Sequence, residues 1–396
     1  MIFLIVFHKS HNIIGIQEKK VMIQRVLEKK VAEKLNDGKA VVIMGARQVG
    51  KTTLLEIIFR EKANILWLSG DEPDVRAIFE NVTSVRLKAL FGNNRFVIID
   101  EAQRIKDIGV TLKLITDKLK DVKVIATGSS SFELAGGIGE SLTGRKWEYM
   151  LYPLSFSELV SNHGLLDEKR LLPHRLVFGS YPEVVTNAGD EKAVLKEIAG
   201  SILYKDALSL EDIRSPDKLE RLVRAIAYQV GSQVSYNKLG QICGLSQKTA
   251  EKYIDVLEKT YIIFRLGSFS RNLRNELKKS RKIYFWDNGI RNALIADFRP
   301  AEIRQDIGAL WENYLIAERM KLLSYHDAFR GFWFWRTKQQ QEIDYIEEQN
   351  GQIKAYEMKW SPKAKTPGER AFLSTYPESA VTTVSKENYD MFLSKP

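Results

Sequence analysis

Apolar runs and apolar spacings divide the chain into three stretches. From Met22, "MIQRVLEKKVAEKL" spaces its apolar residues as an amphipathic helix. The unbroken run Val41 to Met44 then reads as a buried parallel strand, followed by a helical pattern with Leu54, Leu55 and Ile58. Two further apolar runs, in "RFVIIDEAQR" and "DVKVIATGSS", read as strands that end in polar side chains. In the middle stretch, Leu239, Ile242 and Cys243 space as a short helix that Gly244 breaks. Ser246 is the N-cap expected for a second helix, Thr249 to Lys259. Its apolar face is Ala250, Tyr253, Ile254 and Leu257, which leaves Gln247, Lys248, Glu251 and Lys252 outward. The β-rich "YIIFRL" and the basic "RNLRNELKKSRK" complete a wing.

The last stretch opens with the helical "IGALWENYLIAERMKLL" and the aromatic strand "FWFWR". Two alternating arms follow, joined by Asn350-Gly351, a strong tight-turn signal. Alternation puts Ile353, Ala355, Glu357 and Lys359 on one face and Tyr356, Met358 and Trp360 on the other. Ile343 and Tyr345 are expected to face away from Asp344.

Composition narrows the classes. The 396 residues leave room for two or three domains, and 44% hydrophobic with 28% charged residues fits a globular chain rather than a disordered one. A net charge of +10 permits contact with nucleic acid or an acidic surface. The excess is uneven: Ser246 to Pro300 holds 12 Lys and Arg against 6 acids, which supplies +6 of the total. The single cysteine, Cys243, excludes an internal disulfide framework and cysteine-based zinc, and reads as a small core hydrophobe in a reducing cytosol. His8, His11, His163, His174 and His326 show no ligand spacing near acids. The opening "MIFLIVFHKSHNIIG" is too short to span a bilayer and lacks the flanks of a signal peptide. Residues 1–21 read as an extension of doubtful status, with translation starting at Met1 or Met22. No later stretch approaches eighteen apolar residues, so a cytoplasmic protein without a membrane partner is expected.

The strongest chemical signal is Gly45, four residues, then Gly50-Lys51-Thr52 between a strand and a helix. In this Walker A spacing the loop Gly45, Ala46, Arg47, Gln48, Val49, Gly50, Lys51, Thr52 and Thr53 wraps phosphates with backbone N–H groups. Lys51 reaches the β/γ-phosphates and the Thr52 hydroxyl ligates Mg2+. Asp100, at the end of the second strand, suits a Walker B acid that holds the metal through water, and Glu101 suits a general base. Thr127, Ser129 and Ser130 end the third strand, either as sensors of the γ-phosphate or lytic water, or as plain turn hydroxyls. Arg145 fits an arginine finger or a surface salt bridge; a finger acting in trans implies an oligomer.

"GARQVGKTT", "VIIDEAQ", "ATGSSSFEL", "SLTGR" and "YPLSFSE" resemble a widespread group of bacterial and archaeal AAA-type ATPases. The likeness continues through "FGSYPEVV", "LYKDAL" and "YFWDNGIRNAL", so it covers nearly the whole chain from about Met22. It implies an α/β P-loop NTPase with helices on both faces of a parallel sheet and a strand inserted between the two Walker strands. The middle stretch has a helix-turn-helix shape, which places its second helix either in a major groove or against a partner domain.

A helix with Glu312, an acid at Asp344 and then Glu357-x-Lys359 has the order of a PD-(D/E)xK nuclease core, and the C-terminal block resembles restriction-endonuclease-like folds. There Asp344 and Glu357 hold Mg2+ through hard oxygens, Glu312 completes the shell, and Lys359 orients or deprotonates water. The bland alternative is a solvated charged hairpin. The division expected is 22–160 for the ATPase core, 161–225 for a helical lid, 226–285 for a winged helix and 286–396 for the nuclease-like domain. The function expected is an ATP- and Mg2+-dependent switch that controls a module acting on DNA. The alternative is a regulatory ATPase whose inert nuclease-like domain binds a protein partner, with a homo-oligomer open.

Overall fold

The computed structural model describes residues 22–129, 142–208, 213, 215–270, 281–361 and 368–396. Expectations placed on residues 1–21, on Ser130 and on the basic residues 271–280 fall outside the described residues. Strands β1 (Ala40–Met44), β2 (Ile65–Ser69), β3 (Phe96–Asp100), β4 (Lys123–Gly128) and β5 (Lys146–Met150) form a parallel sheet in the order β2-β3-β4-β1-β5. Strand β4 pairs with both β1 and β3, so it is the strand expected between the two Walker strands. Side chains alternate across a strand. Val41 and Ile43 therefore pack with Leu54, Leu55 and Phe59 of the helix Lys51–Phe59. Ala40, Val42 and Met44 pack on the other face with the helices Ser84–Phe91 and Ile108–Lys118. Both faces are covered, and the architecture is α/β.

A helical region follows, in which Phe156–His163 opens with a Ser155–Glu158 capping box. Its core continues that of the first sheet: Leu195, Leu222, Ile254 and Ile283 belong to the same buried cluster as Val41. The helices Tyr236–Cys243 and Gln247–Lys259 stand where expected. Gly244 ends the first, and the Ser246 hydroxyl accepts from the Thr249 N–H at 3.1 Å. Ala250, Tyr253, Ile254 and Leu257 are buried as predicted. Ile242 is not, being 65% exposed. Leu239 and Cys243, one turn apart, fill the narrow inward stripe and leave Ile242 outside it.

The second sheet contains β6 (Gln233–Val234), β7 (Ile263–Ser268), β8 (Arg281–Phe285), β9 (Gly331–Arg336), β10 (Glu342–Gln349), β11 (Gln352–Met358) and β12 (Ala380–Val384). Their order is β12-β11-β10-β9-β7-β8-β6. Strand β9 joins β7 in parallel at Gly267–Trp333 and Ser268–Phe334. The boundary expected at 285/286 therefore crosses a continuous sheet rather than a linker.

Strands β10 and β11 make the expected hairpin. Asn350 and Gly351 both take positive φ, 53° and 81°, the backbone a two-residue type I′ turn needs. Alternation breaks on β10, where the register against β9 shifts between Ile343 and Ile346. Ile343 and Ile346 join one cluster with Phe372, while Tyr345 joins another with Trp311. Ile343 and Tyr345 do not share a face, contrary to expectation, because a bulge re-aims the side chains around it.

The 19-residue helix Ile307–Tyr325 lies against this sheet. Among the described residues, no helix is long and apolar enough to cross a membrane. Trp311 is fully buried, its ring meeting Trp360 and Tyr389 edge-on with centroids 5.5 and 5.4 Å away. Trp311→Ala is expected to destabilise the C-terminal part by about 3–5 kcal/mol. Trp311→Phe should cost much less, and thermal melting of the two variants measures the difference.

Candidate functional site

The phosphate loop closes between β1 and the helix Lys51–Phe59. It passes so near the end of β5 that a Cβ at Gly45 would lie 2.2 Å from the Leu151 carbonyl oxygen, so this position accepts only glycine. Lys51 Nζ donates to the carbonyls of Gly45 and Ala46 at 3.0 and 2.9 Å. Burial pushes its ammonium below the usual lysine range, against the pull of Glu101, Asp206 and Asp100. Arg47, Gln48, Gly50, Lys51, Thr52 and Thr53 line a cavity of about 640 Å3. Gly45, Ala46 and Val49 lie behind it, and the Val49 carbonyl accepts from Arg25 Nη1 at 2.7 Å. The cavity's apolar side is Met22, Ile23, Leu154 and Pro182.

Thr52 Oγ1 donates to Asp100 Oδ2 at 2.9 Å, so two hard oxygen donors, one from the first turn of the helix Lys51–Phe59 and one from the end of β3, face each other. That pairing fits a Mg2+ ion held by Thr52 and Asp100. Glu101 borders the cavity, and Gln103 Nε2 fixes its carboxylate at 2.5 Å. Thr127 and Ser129 are placed differently from expectation. Both are buried and neither lines the cavity. The Thr127 hydroxyl donates to Asp100, and Ser129 accepts from Gln103 at 3.1 Å. They brace the acids rather than face a phosphate.

Arg145 is a correction for the chain's own site. Its carbonyl accepts from Ala40 N–H at 2.9 Å, at the start of β1, whereas the phosphate loop follows the end of that strand. Its guanidinium pairs with Asp117 at 2.7 Å. Sequence reasoning missed Arg25, Gln103 and Asp206. Gln103 sits in "DEAQ" directly beside the acids, a signal available in the sequence. Asp206, which takes Arg47 Nε at 2.5 Å, comes from 159 residues away and gave no local sign.

The C-terminal acids do gather. Glu312 Oε1 accepts from Lys282 Nζ at 2.9 Å and from the Tyr284 hydroxyl at 2.6 Å. Lys282 also meets Glu342 at 2.5 Å and Asp344 at 4.0 Å. Lys359 meets Glu357 at 2.5 Å and Asp344 at 3.5 Å, and Asp344 accepts from Met358 N–H at 2.8 Å. Burial pushes the Glu312 carboxyl up to about 7; Lys282 opposes this and Asp344 adds to it. Burial, then Asp344, pushes Glu357 up to about 7 as well. Lys282 goes the other way: despite burial, the Glu312, Asp344 and Glu342 carboxylates raise it. The donor types suit a divalent cation, but among the described residues no three His, Cys, Asp or Glu side chains form a metal-holding group. As arranged, the acids close around two lysine ammoniums.

Comparison with known proteins agrees with the first site. Residues 37–160 match the family described as an AAA domain. Residues 169–301 and 307–392 match two families each described as a domain of unknown function. An uncharacterized protein of Mycobacterium tuberculosis is 26% identical over 333 residues, covering 82% of this chain and 71% of its own. An uncharacterized protein of Methanocaldococcus jannaschii is 26% identical over 362 residues, covering 78% and 75%. A Walker-type ATPase of Pyrococcus abyssi is similar with a TM-score of 0.46 and 17% identity, covering 70% of this chain and 97% of that one. Strand order, the phosphate loop and the match over 37–160 agree in making this stretch similar to an AAA domain of P-loop architecture.

The ion pair of Arg25 with Glu158, 3.0 Å long and buried on both sides, holds the guanidinium that bonds the loop at Val49. Arg25→Met leaves Glu158 without its cation and is expected to cost about 3–5 kcal/mol. Arg25→Met with Glu158→Gln should recover part of that loss, which a double-mutant cycle on melting temperature reads out.

Proposed function

We propose that ATP binding and hydrolysis set the conformation of a winged-helix and nuclease-like module that acts on DNA. One observation carries this reading. The helix Ile307–Tyr325 holds Glu312 in the acid cluster near one end. At its other end the Tyr325 hydroxyl accepts from the Tyr152 N–H at 3.2 Å and from Arg25 at 3.4 Å. Arg25 in turn holds the phosphate loop at Val49.

At the ATP end, the N-terminus of Lys51–Phe59 and the loop N–H groups take the phosphates. Lys51 retains an N–H beyond the two it gives to its own loop, and directs it at the β/γ-phosphates. A Mg2+ ion held by Thr52 and Asp100 supplies neutralisation of phosphate charge. Glu101, oriented by Gln103, receives the proton of the attacking water. At the other end, the helix pair ending in Gln247–Lys259 followed by β7 and β8 has the element order of a winged helix. Its outward lysines suit DNA phosphates. In the acid cluster the Lys282 ammonium stands among the carboxylates that a metal ion would need.

That same contact favours a second reading, a regulatory switch whose C-terminal module is inert and binds a protein partner. Lys51→Ala should lower ATP turnover at least about 100-fold. Glu101→Gln should lower turnover about 100-fold or more while retaining ATP binding. Phosphate release and nucleotide titration measure both, and full turnover in either variant would sink the ATP assignment. For the module, plasmid nicking with Mg2+ or Mn2+, with and without ATP, separates the readings. Nicking abolished by Glu357→Ala and Lys359→Ala supports cleavage. Salt-sensitive DNA binding without nicking supports a binding module, and the absence of both supports the protein-partner switch.

A further inference from the structure

Strand β8 sends a lysine into the acid cluster, and the chemistry of ATP makes no use of it. Alternation puts Lys282 and Tyr284 on one face of β8, the face that the helix Ile307–Tyr325 covers. Lys282 is 1% exposed, and its ammonium lies over the Phe334 ring, 5.5 Å from the centroid. Lys282 Nζ meets Glu312 Oε1 at 2.9 Å, Glu342 Oε1 at 2.5 Å and Asp344 Oδ1 at 4.0 Å. Glu312 and Glu342 take two of its three N–H groups, and Asp344 adds a third negative charge. Asp344 is shared, because its Oδ2 stands 3.5 Å from Lys359 Nζ, which pairs with Glu357 at 2.5 Å. Glu357 is 1% exposed, and its Oε1 is buried with no hydrogen-bond partner among the described residues.

Glu312, Asp344 and Glu357 offer the hard oxygens that a divalent cation takes, and the orphaned Glu357 oxygen is one that the two lysines leave unused. An ion bound to Glu312 and Asp344 would share those carboxylates with the Lys282 ammonium. Like charges that close, in a site with little water, repel strongly, so the two cations exclude each other. The ammonium is tethered to β8 and competes at a high effective concentration. We propose that Glu312, Asp344 and Glu357 form a latent divalent-cation site that the Lys282 ammonium holds shut. The C-terminal module then meets its target without metal-assisted cleavage, and one neutral substitution opens the site to Mg2+ or Mn2+. The assignment goes beyond the ATP reading and stands or falls without it.

The test uses the nucleotide-free full chain as wild type, Glu357→Gln, Lys282→Met, and Lys282→Met with Glu357→Gln. Bound Mn2+ is read from the loss of the free-ion electron paramagnetic resonance signal, and melting temperature is measured with and without Mn2+. Thr52 and Asp100 are unchanged throughout, so an ion held at the phosphate loop is a common background. Wild type and Glu357→Gln should bind Mn2+ alike. Lys282→Met should hold a further Mn2+, at least about tenfold more tightly than wild type holds any at the cluster. Adding Glu357→Gln should remove that ion again. Mn2+ should also raise the melting temperature of Lys282→Met more than that of wild type. Loss of Lys282 strands buried carboxylates, so Lys282→Met with Glu342→Gln, which drops one carboxylate along with the cation, takes the same measurements where the single variant does not fold. Weaker Mn2+ binding in Glu357→Gln than in wild type overturns the assignment, because the site is then already open, and this comparison needs no Lys282 variant. A folded Lys282 variant without the further ion overturns it as well.

Discussion

The Arg25 guanidinium, buried beneath the phosphate loop, is the contact on which the arrangement of the chain turns. It donates to Glu158 at 3.0 Å, to the Val49 carbonyl at 2.7 Å, to the Tyr152 carbonyl at 2.6 Å and to Tyr325 at 3.4 Å. A buried cation is tolerated only when its charge is paired and its donors are satisfied. Arginine, with five donors in a planar fork, can meet several partners at once where lysine cannot. The requirement to satisfy that fork brings together the segment before the first helix, the backbone of the loop, the end of β5 and the last residue of the long C-terminal helix. None of these elements can shift far without leaving a charge or a carbonyl unpaired.

The helix Ile307–Tyr325 carries this constraint onward. Glu312 and Tyr325 lie roughly 20 Å apart along an axis that rises 1.5 Å per residue. The helix is buried along most of its length, so it moves as a body or not at all. Arg25 bonds both the loop backbone at Val49 and Tyr325, and the helix runs from Tyr325 to Glu312 in the acid cluster. Coupling of this kind requires an element with two arrangements that both sites bias. The packed interface between the long helix and the segment at Tyr152, with ring centroids of Tyr152 and Tyr325 5.7 Å apart, is where such arrangements would differ.

What the sequence made legible was chemistry whose partners are close along the chain or repeat with a fixed period. The Walker loop, the strand-end acids, the Ser246 cap and the Asn350-Gly351 turn are all set by neighbours within a few residues, and the structure has each in place. The place of β4 between the two Walker strands followed from a family likeness rather than from periodicity. The contacts that were not legible join distant residues: Arg47 to Asp206, Arg25 to Tyr325 and Lys282 to Glu312. Lys282 lay in the basic stretch that read as part of a wing, yet it is buried among carboxylates. The bulge at Ile343–Ile346 coincides with a break in alternation, the adjacent apolar pair Tyr345-Ile346, which straight alternation from Ile343 passed over. Arg145 misled because motif order says nothing about which end of a strand a residue occupies.

The parallel pairing of β7 with β9 also bears on how the chain is made. Strand β7 ends at Ser268 and its neighbour β9 begins only at Gly331, after the long helix. On a ribosome adding roughly 5–20 residues per second, β7 and β8 emerge seconds before the strand that covers the β7 edge. During that interval a row of unpaired N–H and C=O groups stands open, the kind of edge that recruits other strands. The residues between them, many of them apolar and destined for the core beside Trp311, wait in the same interval without a partner. Crowding on polysomes would then bring identical open edges together before either chain could close its own.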